Sequence, residues 1–231
     1  IWGCSFLFIK VGLESFTPIG VVFGRVLLGA LTLIVITVVS RSSLPPRWSW
    51  KYLFVASLLW VCVPWTLFAF AQTQVSSALA GIINALTPLM TLLAILLAFR
   101  TEKPTRGRIG GLILGFIGML VVVGFWQPLA LDNLWAIGAM VLAVSCYGVA
   151  FPFARRFLTG PQAQAPIPAV SLATGLMLWG LVIVGPLALV TGIGSAPISG
   201  ASLAAIAGLG ILGSGVAYLL NFHVTQRADS T

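Results

Sequence analysis

The chain has 231 residues, of which 59% are hydrophobic and only 7% charged, with a net charge of +8. Soluble domains carry about 25% charged residues, so this composition excludes a soluble fold. Within a bilayer only α-helices and closed barrels satisfy every backbone polar group. Residues 52–99 and 157–226 contain no charge, and such continuous apolar runs favour helices over alternating barrel strands. The sequence therefore predicts an all-α polytopic membrane protein.

Eight apolar segments predict eight transmembrane helices, separated by short loops rich in proline, glycine and polar residues. They lie at residues 1–13, 18–39, 50–72, 75–99, 107–126, 133–157, 167–191 and 201–226. The first segment is too short to span, begins with Ile1 rather than Met, and has no charged region before it as a signal peptide requires. We therefore expect the chain to be a fragment of a longer protein.

Two basic residues, Lys10 in helix one and Arg25 in helix two, lie away from the basic clusters of the loops. Arg25 lies within helix two, and a cation inside a span usually faces a cavity or a partner. Arg25 either binds a substrate anion through its planar fork of donors or has a structural role, pairing with Glu14 or reaching the interface. Lys10 has Glu14 as its i+4 neighbour, so these two charges are expected to pair along the helix.

Helix four has one face of small and polar residues at helical spacing. Its members are Ser77, Gly81, Asn84, Thr87, Pro88 and Thr91. Pro88 removes one backbone hydrogen bond and so frees a carbonyl near the membrane centre, where transporters bind ligands. The alternative is that these groups only hold neighbouring helices together.

Helix eight repeats this pattern with Ser214, Tyr218, Asn221 and Thr225. If the polar faces of helices four and eight face each other, they line one cavity. Trp2 and Tyr147 hold related places and could stack on a substrate or simply pack. His223 is the only histidine and could carry a proton, although its place near the helix end favours an interfacial role.

The basic residues lie in short clusters between apolar segments, which is typical of topology signals and not of nucleic-acid binding. With eight helices, ten of the twelve basic residues fall on one side of the membrane, and Glu14 and Asp132 fall on the other. We expect the basic side to be cytoplasmic. Cys4, Cys62 and Cys146 are scattered, so neither a disulfide framework nor a metal site is expected.

The chain contains a weak internal repeat. The segment Trp2–Lys10 matches Tyr147–Arg155 in its aromatic-Gly start, its phenylalanines and its basic end. Five helices separate equivalent elements, and an odd number requires the second copy to be inverted in the membrane. Inverted repeats are typical of secondary transporters that hold substrate between the two halves. The alternative is that any two hydrophobic helices look alike.

These segments resemble the drug/metabolite transporter superfamily, EamA-type. The resemblance rests on four places in the first copy: Trp2-Gly3 with Phe6 and Lys10, then Arg25, then 76–80 followed by 86–89, then 102–105 followed by Gly110-Gly111. The chain departs from the family pattern at Arg100-Thr101, at Pro104, and at Gly175 where helix seven lacks an Arg or Gln.

The resemblance implies ten helices in two inverted five-helix repeats, of which 1–126 and 133–231 would be the first copy and a truncated second copy. It also implies a secondary transporter that exports or exchanges a small metabolite, amino acid or drug, driven by a proton, an ion or a counter-substrate. We expect a bacterial inner-membrane protein without a cofactor. A non-transporting structural or signalling membrane protein is the alternative, whereas the scattered cysteines and single histidine disfavour an enzyme.

Overall fold

The structure is a computed structural model that describes residues 2–99, 105–123, 133–160, 163–165, 167–221 and 224. Within these ranges the regular elements are helices, apart from one isolated antiparallel bridge between Phe16 and Gly194. Some residues named above lie outside them: Arg100, Thr101, Glu102, Lys103, Pro104, Asp132, His223 and Thr225.

Six helices are long and apolar enough to cross a membrane in the described part of the chain. They are α2 (Pro18–Val39), α3 (Arg47–Ala71), α4 (Ser77–Leu97), α6 (Leu134–Thr159), α7 (Ala169–Thr191) and α8 (Gly200–Asn221). Two apolar helices are shorter: α1 (Trp2–Gly12) and the segment Ile109–Gly118 of α5 (Arg106–Val123). The all-helical polytopic fold is confirmed, while the count of eight spans and the inverted repeat stay predictions.

Side-chain caps set where three of the helices begin. Thr17, Ser76 and Ser199 each accept a hydrogen bond from a backbone N–H three residues later, which satisfies one donor of the first helical turn. Pro18 then occupies the first turn of α2, where its missing N–H costs nothing. Local sequence therefore sets these starts, at the predicted residue for α2 and within two residues of it for α4 and α8.

α4 is broken, whereas the sequence analysis expected one continuous helix over 75–99. One helical segment ends at Asn84 and the next begins at Thr87, with Ala85 and Leu86 in a turn between them. The physical reason is Pro88, which has no N–H to bond the carbonyl of Asn84 four residues earlier. The hydroxyl of Thr87 donates to that carbonyl instead, at 2.7 Å.

The helices pack around α2. It contacts α7 and the second part of α8, α1 contacts α4 and the first part of α8, and α6 contacts α3 and α4. The approach of α2 to α8 needs Gly210, because a Cβ there would lie 2.4 Å from the Cβ of Leu28.

Two loops at one end of the bundle are joined, and we call residues 14–17 and 192–199 together the loop clasp. The N–H of Thr17 donates to the Ile193 carbonyl and that of Ser195 to the Ser15 carbonyl, both at 3.0 Å. These two bonds flank the bridge between Phe16 and Gly194. Three side-chain bonds add to them: Ser15 Oγ donates to the Pro197 carbonyl and accepts from the Ser199 N–H, and Thr17 Oγ1 donates to the Gly192 carbonyl.

Candidate functional site

A cavity of about 470 Å³ lies inside the bundle and is bounded by six helices, α1, α2, α3, α4, α6 and α8. Its lining residues are Trp2, Ser5, Phe6, Ile9, Arg25, Trp60, Trp65, Phe68, Asn84, Ala85, Thr87, Pro88, Tyr147, Phe151 and Tyr218. Both halves of the chain contribute to the wall. The volume is in the range of about 300–1,000 Å³ that is usual for small-molecule sites.

Arg25 is the charged residue of this wall and is only 6% exposed. Its Nε donates to the hydroxyl of Ser214 at 2.9 Å. Its Cζ lies 3.6 Å from the centre of the Trp65 ring, which is too close for an edge contact and therefore places the guanidinium over the ring face. The hydroxyl of Ser214 donates onward to the Leu209 carbonyl at 3.1 Å, so the Arg25 side chain is held in place.

The break in α4 brings polar groups to the opposite wall. Asn84, Thr87 and Pro88 all line the cavity. Among the described residues the Asn84 side chain has no hydrogen-bond partner, whereas the carbonyl that Pro88 leaves unbonded is already occupied by Thr87. The Asn84 amide therefore keeps its full hydrogen-bonding capacity for a ligand, whereas that carbonyl keeps one of its two lone pairs.

Six of the nine cavity candidates from the sequence meet in this wall: Arg25, Asn84, Thr87, Pro88, Tyr147 and Tyr218. Ser214 lies behind Arg25 as its hydrogen-bond partner. Thr91 lies in a neighbouring cavity, and Asn221 lies at the end of α8 outside the lining. Whether these residues contact a substrate stays a prediction.

Lys10 has contacts other than the expected ones. Its Nζ donates to the carbonyl of Gln72 at 2.8 Å and to that of Val75 at 3.3 Å. These carbonyls follow the end of α3, where helical carbonyls lack backbone partners and favour a cation. Glu14 is exposed at the end of α1. Among the described residues neither Lys10 nor Arg25 forms an ion pair with Glu14.

The sequence analysis missed most of the aromatic wall. Phe6, Trp60, Trp65, Phe68 and Phe151 all line the cavity. Five residues of an α-helix turn through about 140° beyond a full turn, so Trp60 and Trp65 do not share a face by α-helical spacing. A π-helical turn over Leu58–Cys62 shifts this register. The concentration of aromatic residues in 60–68 was the available signal.

A second, wider cavity of about 760 Å³ lies between α4, α5 and α6 and has an apolar lining. It shares Ala85, Thr87, Pro88 and Phe151 with the first cavity. The break in α4 and the ring of Phe151 therefore form the boundary between the two.

Comparison with known sequences identifies the family of this chain. The model of the EamA-like transporter family matches residues 1–124, more than half of the chain. The chain belongs to that family.

Two curated proteins show similar sequences. Protein PagO of Salmonella typhimurium is 26% identical over 158 residues, which cover 67% of this chain and 51% of PagO. An uncharacterized transporter of Archaeoglobus fulgidus is 24% identical over 233 residues, covering 100% of this chain and 78% of the relative. The chain thus spans about half the length of PagO in that match.

Membership of the family, the membrane-length helices and the archaeal relative together support an integral membrane protein that is a transporter. The family is one of transporters and not of enzymes. A transporter of this kind needs a small-molecule substrate and a lipid bilayer as its surroundings.

Proposed function

We propose that the protein is a secondary transporter that moves a small solute by alternating access around the cavity at Arg25. The observation that carries this proposal is a buried guanidinium in the wall of a cavity to which both halves of the chain contribute. Arg25 lies seven residues inside α2, about 10 Å from its start. A charge at that depth is expensive unless a cavity or a ligand uses it.

The packing of the helices supports the inverted repeat. In an inverted repeat, α1, α2 and α3 correspond to α6, α7 and α8. The contact between α1 and α8 is then equivalent to that between α6 and α3, and the contact between α2 and α8 to that between α7 and α3. All four pairs are in contact, and α2 and α7 pack against each other. This is the pattern of a pseudo-two-fold axis between copies 1–126 and 133–231, with the cavity between them.

The loop clasp supports a cavity that is closed at one end. Its six hydrogen bonds, including one from the Ala196 N–H to the Ser15 carbonyl at 3.4 Å, and its one bridge join α1–α2 to α7–α8. Alternating access requires these bonds to break when that end opens and contacts at the other end to form. The charge distribution supports the assignment of the clasp end to the outer side of a bacterial inner membrane and of the basic loops to the cytoplasm.

Transport is tested by reconstituting the chain in liposomes that are loaded with a panel of labelled metabolites, amino acids and drugs. Counterflow of one solute, lost when Arg25 is replaced by Gln, supports the proposal. Imposed proton, sodium and counter-substrate gradients then identify the driving force. Absence of counterflow with every solute, from protein that elutes as a folded species, would favour the structural or signalling alternative.

A further inference from the structure

The chemistry of the cavity wall restricts the class of solute, given the transport proposed above. In the described residues the cavity is lined by one cation, Arg25, and by no acid. Of the chain's four acids, Glu14 lies exposed at the end of α1 and the other three lie outside the described ranges. A cationic solute would meet an unneutralised guanidinium in a site of low dielectric constant, so the wall favours an anion.

The way Arg25 is held leaves one part of its guanidinium for a ligand. Nε is used by Ser214, while Nη1 and Nη2 have no hydrogen-bond partner among the described residues. Two Nη groups form a planar fork that matches the two oxygens of a carboxylate. A carboxylate bound to both Nη groups lies in the plane of the guanidinium. That plane is set by the face of Trp65, on which the guanidinium lies.

The rest of the wall is aromatic. Eight of the fifteen lining residues are Trp, Phe or Tyr, and their rings make edge-to-face and tilted contacts with one another. Rings in such an array present both edges and faces to the cavity, and these favour another flat ring over a saturated one. A ring that is conjugated to its carboxylate stays in the plane that the Arg25 fork imposes.

We propose that the solute is a planar aryl carboxylate without a cationic group, whose carboxylate binds the Nη groups of Arg25 and whose ring packs among the aromatic side chains of the cavity.

Binding is tested with the full chain in nanodiscs at neutral pH, by equilibrium dialysis of labelled benzoate and competition with four probes. Cyclohexanecarboxylate keeps the charge and ring size but has no π-system, and benzamide keeps the ring but has no charge. Phenylalanine adds an ammonium group, and decanoate has a flexible chain that could extend into the second cavity. We expect the affinity for benzoate to be at least about fivefold higher than that for cyclohexanecarboxylate. It should also be higher than the affinity for each of the other three probes.

Two pairs of variants locate the site. Arg25→Gln should weaken benzoate binding about tenfold or more, because it removes a charge-assisted fork, whereas Arg47→Gln changes an exposed arginine outside the cavity and should have no effect. Phe151→Leu removes a ring that lines the cavity and is 36% exposed. Its control is Phe54→Leu, which removes a ring of 37% exposure that lies outside the cavity lining.

Several results would overturn the aryl carboxylate. One such result is that benzoate and cyclohexanecarboxylate bind equally; another is that decanoate binds most tightly. If binding still depended on Arg25 in either case, the protein would bind an anion of another class. Preferred binding of phenylalanine would refute a solute without a cationic group, and preferred binding of benzamide would refute the anionic assignment. If no probe binds while the liposomes still exchange another solute, this inference fails and the transport proposal stands.

Discussion

At the scale of single residues, Arg25 shows a conflict between stability and function. A charged side chain inside a span costs about 2.5–3.5 kcal/mol on insertion scales. The protein offsets part of this cost with one hydrogen bond to Ser214 and the face of Trp65. An ion pair would offset more, but no acid in the described ranges is placed to form one. We therefore expect Arg25 to bind a ligand.

The variant Arg25→Met separates these roles. Methionine fills a similar volume without a charge, and Ser214 keeps its bond to the Leu209 carbonyl. We expect thermal stability in detergent to be unchanged or higher, since replacing a poorly compensated buried charge with an apolar group is often neutral or stabilising. Transport of an anionic solute should be lost.

The measurements are unfolding temperature by fluorescence-detected size-exclusion chromatography and solute counterflow in liposomes. A loss of folded protein that matches the loss of transport would mean that Arg25 is structural.

At the scale of helices, α4 and α6 approach so closely at the cavity that only glycine fits. A Cβ on Gly148 would lie 2.6 Å from the backbone carbonyl carbon of Met90. Gly138, on the same helix, has nothing within 4 Å of a Cβ. These two glycines form a matched pair in which the helix is the same and only the neighbour differs.

Gly148→Ala should therefore destabilise the protein by about 1–3 kcal/mol, because backbone atoms of α4 must move to admit the methyl group. Gly138→Ala should be neutral or stabilising by about 0.5–1 kcal/mol, since alanine is the better helix former. Unfolding of both variants in mixed micelles measures the difference. Equal stability of the two would show that α4 and α6 are not in contact in the membrane.

The sequence predicted most helices but not their irregularities. The limits of α2 agree with the prediction because Thr17 and Pro18 determine its start locally. The sequence analysis recognised that Pro88 removes a hydrogen bond of α4. It did not predict the turn before Thr87, because hydropathy does not distinguish a turn from a continuous helix. A π-helical turn in α3 shifts the register between Trp60 and Trp65, so that part of the aromatic wall could not be predicted from α-helical spacing.

The loop clasp allows a direct test of motion between helices. The bonds at 15–195 and 17–193 flank Phe16 and Gly194, which makes these two a non-hydrogen-bonded pair with Cα atoms about 4.5 Å apart. That distance lies within the range of disulfides. In a chain with Cys4, Cys62 and Cys146 replaced, Phe16→Cys with Gly194→Cys should crosslink on oxidation and stop counterflow.

Reduction should restore counterflow, and each single cysteine variant should be insensitive to the oxidant. Full counterflow from completely crosslinked protein would mean that the clasp stays closed throughout transport.

At the scale of the whole molecule, charge and packing point to the same arrangement. Arg41 and Arg47 follow the end of α2 that is opposite the clasp, and Arg155 and Arg156 lie at the end of α6 that contacts the start of α3. Helices that exchange under the proposed pseudo-symmetry make equivalent contacts, and the cavity lies where the two proposed copies would meet. The proposed orientation rests on the loops and the proposed repeat on the helices, two properties of the sequence that vary independently.

This orientation predicts which loops a membrane-impermeant thiol reagent can reach. In the same cysteine-free chain, Ser195→Cys at the exposed clasp loop should be labelled in intact cells, because that loop has no basic residue and is expected outside. Ser43→Cys, an exposed residue between Arg41 and Arg47, should be labelled only after the cells are opened. The reverse pattern would place the basic loops outside, and labelling of both sites in intact cells would mean that residues 43 and 195 lie on the same side. The reverse pattern would overturn the orientation alone, whereas labelling of both sites would remove the odd number of spans between them, on which the inverted repeat depends.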